Sequence, residues 1–208
     1  MAATGICGAC LLRISLSAKP GSPQFYVLTL GLAGTWAVGA LSSGPLPLGI
    51  PGQRDERPRA LVVPVLAGAG TFGLFYGAAR LARHIPPLDR AIRDVLNYAA
   101  AGSVPLVLLT ASVNALAEEL FFHGALWALA EDSHPVITTT LAYAATTAAT
   151  RNPALVLAGT ATSVLFGLQR RTSGGILAPA LGHLTWSLLM LRYLPPLFHS
   201  PVGHPDRH

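Results

Sequence analysis

The sequence predicts an all-α fold, a polytopic membrane helix bundle of about six transmembrane helices. Three observations predict it. Hydrophobic residues make up 51% of the 208-residue chain and charged residues only 11%, against roughly 25% charged in a typical soluble domain. Mean hydropathy is +0.50. Apolar runs recur that approach the ~20 residues needed by a membrane-crossing helix, and short stretches rich in Pro, Gly and Arg separate them.

In order along the chain, residues 1–24 read as an N-terminal tail ending in KPGSPQ. Its CGAC, Cys7 to Cys10, lacks the further ligands of a structural zinc site and the βαβ setting of a redox pair, so reduced thiols are expected. No charged start followed by a sustained apolar core marks a signal peptide. Residues 25–97 hold two spans, Phe25–Leu41 and Ala60–Leu81, around SSGPLPLGIPGQRDERPR, where Pro, Gly and charge forbid a continued helix. ARHIPPLDRAIRDVLNY then suits a short amphipathic helix along the membrane surface. Residues 98–194 supply four more spans: one within 99–130, Val136–Thr150, Pro153 to about Gln169, and Ile176–Leu194. Pro135 and Pro153 sit where a first helical turn tolerates proline. Residues 195–208 form a tail whose His199, His204 and His208 lie in Pro- and Gly-containing sequence that favours disorder over metal binding.

The net charge of +5 is distributed in short basic clusters between apolar runs, as around membrane helices, so no nucleic-acid partner is expected. With six spans and the N-terminus inside, nine basic residues fall on the inner side and five on the outer. The positive-inside rule then places both termini in the cytoplasm. Arg outnumbers Lys 13 to 1 amid abundant Ala and Gly, which points to a GC-rich genome and a bacterial cell membrane.

The stretch ALAEELFFHG, residues 115–124, carries the chemistry. From Ala99 to Ala130 the only formal charges are Glu118 and Glu119, and an ionisable group at the bilayer centre costs on the order of +2.5 to +3.5 kcal/mol. Helix geometry puts Glu119 and His123 on one face, and Asn114 and Glu118 on the neighbouring one. Together they form a polar patch able to point into the bundle. FGLQRR places Arg170 at the end of the fifth span, and GHLTWS puts His183 and Ser187 one turn apart on the sixth. Acids, imidazoles and an arginine at inward-facing positions point to a site that moves protons.

EELFFHG, FGLQR and GHLTWS, in that order, resemble the three motifs of the CAAX-protease and bacteriocin-processing family. These are membrane-embedded endopeptidases similar to the type II CAAX prenyl protease, with the pattern EExxxR, FxxxH and HxxxN or a variant. The likeness covers about Val104 to Met190. It implies that Glu118 is the water-activating general base and Glu119 the second acid that orients it. It makes His183 the group that polarises the water or the developing oxyanion, and gives Ser187 the hydrogen-bonding place that Asn often holds. The implied substrate is a membrane-associated peptide or protein, such as a leader peptide. Two positions depart from the pattern: His123 stands where Arg belongs, and Arg170 where His belongs. The expectation is that Arg170 pairs with the acids while His123 or His183 assists the water.

Other readings stay open. Glu118, Glu119, His123 and His183 offer donors for a divalent metal such as zinc, yet Arg170 nearby would repel one. A catalytically degenerate scaffold is the alternative to an enzyme. A small proton-coupled transporter would also use intramembrane Glu and His, although transporters usually show an internal repeat, and none is visible here. HExxH, GxGD and a partnered GxSG are absent from the sequence.

Overall fold

The computed structural model describes residues 1–49 and 57–198, so Arg54 and the tail histidines His199, His204 and His208 lie outside the described residues. Among those described, every regular element is helical: α1 (Ala2–Ser15), α2 (Pro23–Leu41), α3 (Arg57–Ala82), α4 (Pro86–Ala100) and α5 (Val104–Glu118), then a π-helical segment (Glu119–Leu126) and α6 (Trp127–Leu129). α7 (Pro135–Ala148), α8 (Pro153–Ser173), α9 (Leu177–Tyr193) and α10 (Pro195–Phe198) follow. The fold is a helical bundle of the expected class.

Local chemistry sets the boundaries. Pro stands at the first or second position of α2, α4, α5, α7 and α8, and likewise of α3 and α10. There the missing N–H costs nothing, because the first turn has no intrahelical acceptor for it. Ser22 caps α2 by accepting from the Phe25 N–H at 3.2 Å, and Asn152 caps α8 through the Leu155 N–H at 3.0 Å. α8 ends on Gly174 at φ 70°, the left-handed conformation that glycine takes without a Cβ penalty.

Each of the six expected spans coincides with a helix. Three are long and apolar enough to cross a membrane: Pro23–Leu41, Pro58–Ala82 and Val104–Leu129. These helices present Val27, Val38, Leu61, Leu66, Leu74 and Leu109 to the outside, as a lipid-facing surface requires. The remaining three are shorter or more polar. α7, with 14 residues, reaches about 21 Å at 1.5 Å per residue.

The N-terminal tail is a correction. Residues 2–15 fold as a helix antiparallel to α2, because Gly8 and Gly39 leave room for it. A Cβ on Gly8 would meet the Trp36 indole, and one on Gly39 would meet Thr4. Cys7 and Cys10 ride on this helix as free, exposed thiols. The added helix also moves the N-terminus to the opposite end of the bundle. Met1 and Leu46 pack against the apolar cluster that includes Trp36 and Phe122, while Phe198, the last described residue, shares a cluster with Leu96 of α4. The two ends of the described chain are therefore not on one side, as an even number of spans had implied.

Helix α9, which carries His183, crosses α3 at two glycines. A Cβ on Gly68 would run into the carbonyl and Cα of Gly182. The other end of α9 is tied by backbone alone: the Ile176 and Leu177 N–H groups donate to the carbonyls of Pro47 and Leu48, each at 3.0 Å.

Gly68→Ala is expected to cost about 1–3 kcal/mol, because backbone must give way. Gly70→Ala, with nothing within 4 Å of the new methyl, should leave stability unchanged or raise it by up to ~1 kcal/mol through helix propensity. Thermal unfolding of both variants in detergent measures the difference.

Candidate active site

Glu119 is the centre of the cluster. The residue is 1% exposed, and both carboxylate oxygens are occupied by imidazoles. Oε2 lies 2.6 Å from His123 Nδ1 and Oε1 lies 2.8 Å from His183 Nδ1. The first contact is local, one turn along the chain. The second crosses to α9. A buried carboxylate is tolerated only when such partners replace its hydration.

His123 extends the chain of contacts to α8. Its Nε2 faces the Ser163 carbonyl at 3.2 Å, so both ring nitrogens look at acceptor oxygens. Gly167, one turn beyond Ser163, lies beside that ring: a Cβ there would stand at an ordinary contact distance of 3.5 Å from His123 Nε2. His183 is held by stacking on Phe166, with ring centroids 4.9 Å apart and planes 24° apart, and by Trp186 on its other flank at 5.7 Å. Its Nε2 makes no hydrogen bond among the described residues.

Glu118 is treated differently. It is half-buried, and Oε2 accepts a hydrogen bond from the Tyr143 hydroxyl at 2.5 Å. Oε1 has no protein donor among the described residues. His183 and His123 both lie within coulombic reach of it. The Tyr143 ring sits 4.7 Å from the Phe122 ring and lies over Gly159, where a Cβ would come within 2.8 Å of it. Adjacent acids thus face different surroundings: one is saturated by imidazole, the other keeps an oxygen free.

Glu118 (φ −63°, ψ −43°) and Glu119 (φ −64°, ψ −40°) keep ordinary helical dihedrals, so the two acids diverge as neighbours on a helix do, and a π-helical segment follows directly. Its bonds run one residue further than in an α-helix, as from the Trp127 N–H to the Phe122 carbonyl. Such segments occur frequently at functional sites. Where the ladder returns to four-residue spacing, a carbonyl is passed over. At that return the His123 carbonyl accepts from Arg170 Nε at 2.9 Å, and the Arg170 guanidinium lies over the Trp127 ring at 5.3 Å.

Of the residues singled out from sequence, Glu118, Glu119, His123 and His183 come together. Arg170 also arrives, but it does not pair with the acids as expected. It holds backbone, because His123 already fills the place beside Glu119. Ser187 makes no hydrogen bond among the described residues. Sequence reasoning missed Tyr143, although it is the one aromatic in the Val136–Thr150 run. It also missed the Ser163 carbonyl, since a backbone acceptor leaves no mark on residue type.

Among the described residues, no set of three or more His, Cys, Asp or Glu side chains is disposed to hold a metal ion. The donors that a zinc-type site would need are turned onto one another through Glu119. Three further polar atoms around the cluster are buried without a protein partner: Asn114 Oδ1, Ser163 Oγ and Trp186 Nε1. Buried polar groups of this kind are ordinarily satisfied by internal water.

The fold and the cluster together define a helical membrane protein with an acid–imidazole centre inside the bundle. Residues 100–189, just under half of the chain, match the sequence model of the type II CAAX prenyl endopeptidase, Rce1-like family. The match takes in all three motifs and supports a CAAX-type intramembrane protease kind of function. No curated protein and no solved structure matches the chain.

Arg170→Met should leave the His123 carbonyl without its side-chain donor and cost about 1–3 kcal/mol, read by thermal unfolding. The companion His123→Ala should cost about 3–5 kcal/mol, because it strips one oxygen of a buried carboxylate.

Proposed function

We propose that this protein is an intramembrane endopeptidase that hydrolyses a peptide bond of a membrane-associated substrate. Glu118 acts as the base that takes the proton of the attacking water. One observation carries this reading: the two carboxylates are divided in role, with Glu119 saturated by His123 and His183 and Glu118 keeping an oxygen free beside them.

Glu119 is then the anchor. It accepts from His183 Nδ1–H and fixes that ring, so that the imidazolium form presents Nε2–H to polarise the scissile carbonyl or to steady the oxyanion that forms from it. Tyr143 fixes the orientation of Glu118 through Oε2, so that Oε1 is the atom that meets water. After attack, the proton held by Glu118 passes to the leaving amine, and the peptide bond breaks. Proton transfer and polarisation are assigned to Glu118 and His183 alone. His123 stabilises the charge on Glu119, the work that a first-motif Arg would do, and its presence there supports an active centre rather than a degenerate one.

A leader peptide or another membrane protein fits as substrate, since the cluster lies inside helices that face lipid. The basic end of the bundle, where α3, α7 and α9 end, suits the cytoplasmic face of a bacterial cell membrane.

The test is cleavage of a fluorogenic peptide library by protein reconstituted in liposomes. Glu118→Gln should lower turnover 10²- to 10⁴-fold while thermal stability stays close to that of the parent. Retained cleavage in that variant would overturn the assignment. Tyr143→Phe should lower kcat about tenfold with KM little changed, because the hydroxyl orients the base and touches no substrate.

A further inference from the structure

A second site lies away from the cluster. At the basic end of the bundle a cavity of about 610 Å³ opens between α4, the α1–α2 link and the α7–α8 turn. We propose that it binds the phosphate of a phospholipid headgroup, with preference for a headgroup that also carries an ammonium group.

Its position is the first argument. α4 joins α3 to α5, and both of those lie in segments long enough to cross a membrane, so α4 must sit at one membrane face. There it lies at headgroup depth, as amphipathic surface helices do. Eight basic residues gather at this end: Arg13, Lys19, Arg80, Arg83, Arg90, Arg93, Arg151 and Arg192.

The walls are fixed before any ligand arrives. The Tyr98 hydroxyl reaches the carbonyls of Leu16 and Ala18. Asn152 Nδ2 donates to the Ala91 carbonyl at 2.8 Å, and Arg13 donates to the Ala149 carbonyl at 3.2 Å. These bonds use up the wall groups and leave others unspent. Arg151, Asn97 and Asp94 make no side-chain hydrogen bond or ion pair among the described residues. Arg90 uses only Nε, on the Pro86 carbonyl at 3.2 Å. Two arginines therefore line one cavity without a carboxylate paired to either.

Arg151 supplies an independent observation. Its φ is 58°, and it is the only non-glycine at positive φ among the described residues. Glycine would take that conformation without strain, so the backbone does not favour arginine there. A residue kept against its backbone preference points to a role for its side chain.

The chemistry selects the ligand. A guanidinium fork matches two phosphate oxygens at once. Asp94 lines the same cavity and would oppose a purely anionic ligand, but it would welcome an ammonium group. A phosphoethanolamine headgroup presents both charges. A phosphoglycerol headgroup or inorganic phosphate presents only the anion.

The experiment is titration of the purified full chain in detergent with three probes: short-chain phosphatidylethanolamine, short-chain phosphatidylglycerol and inorganic phosphate. Binding is read by calorimetry and by the shift in thermal unfolding. Phosphatidylethanolamine should bind most tightly. Arg90→Gln and Arg151→Gln should each weaken it roughly tenfold or more. Asp94→Asn should remove the preference over phosphatidylglycerol. Arg151→Gly separates site from scaffold: without lipid it should be as stable as the parent or more so, yet it should lose the lipid-induced shift. Inorganic phosphate binding as tightly as either lipid would overturn the headgroup assignment. Equal lipid binding by the parent and both Gln variants would overturn the site. Loss of stability in lipid-free Arg151→Gly would make Arg151 a structural residue.

Discussion

One carboxylate sealed between two imidazoles organises the interior of this bundle. Glu119 sits where an unpaired charge would be expelled, and it is kept because His123 and His183 replace the water it has lost. Meeting that demand draws helices together. His183 brings α9, the Ser163 carbonyl brings α8 through His123, and Glu119 itself begins the π-helical segment that follows α5. The rest of the site inherits its geometry from this arrangement, including the half-exposed Glu118 beside it.

Adjacent residues on a regular helix point about 100° apart, which turns Glu119 to the two imidazoles and Glu118 to Tyr143. The π-helical segment runs from Glu119 to Leu126, and Arg170 bonds to it through the His123 carbonyl. The basic residues at the two motif positions thus divide the work: His123 takes the acid and Arg170 takes the backbone.

The bundle also has two unlike ends. At one, the Pro47 and Leu48 carbonyls after α2 accept hydrogen bonds from the start of α9, and Leu46 packs beside Gly124. At the other, arginines accumulate around a cavity walled by α4. The reactive cluster lies between them. Ten residues of α8 separate Pro153 from Ser163, about 15 Å at helical rise.

The sequence by itself determined the class of fold, the position of every long helix and four of the residues that meet in the cluster. It could do so because apolar run length, prolines at first turns and acids in greasy sequence are local signals. It misjudged residues 2–15, whose helix depends on Gly8 and Gly39 yielding space to Trp36 and Thr4, a contact between distant segments. It also gave Arg170 the wrong partner and passed over Tyr143. Only the tertiary structure decided those points, because which donor reaches which acceptor depends on how helices cross and on where the backbone ladder slips by one residue. Neither is written in the spacing of a motif.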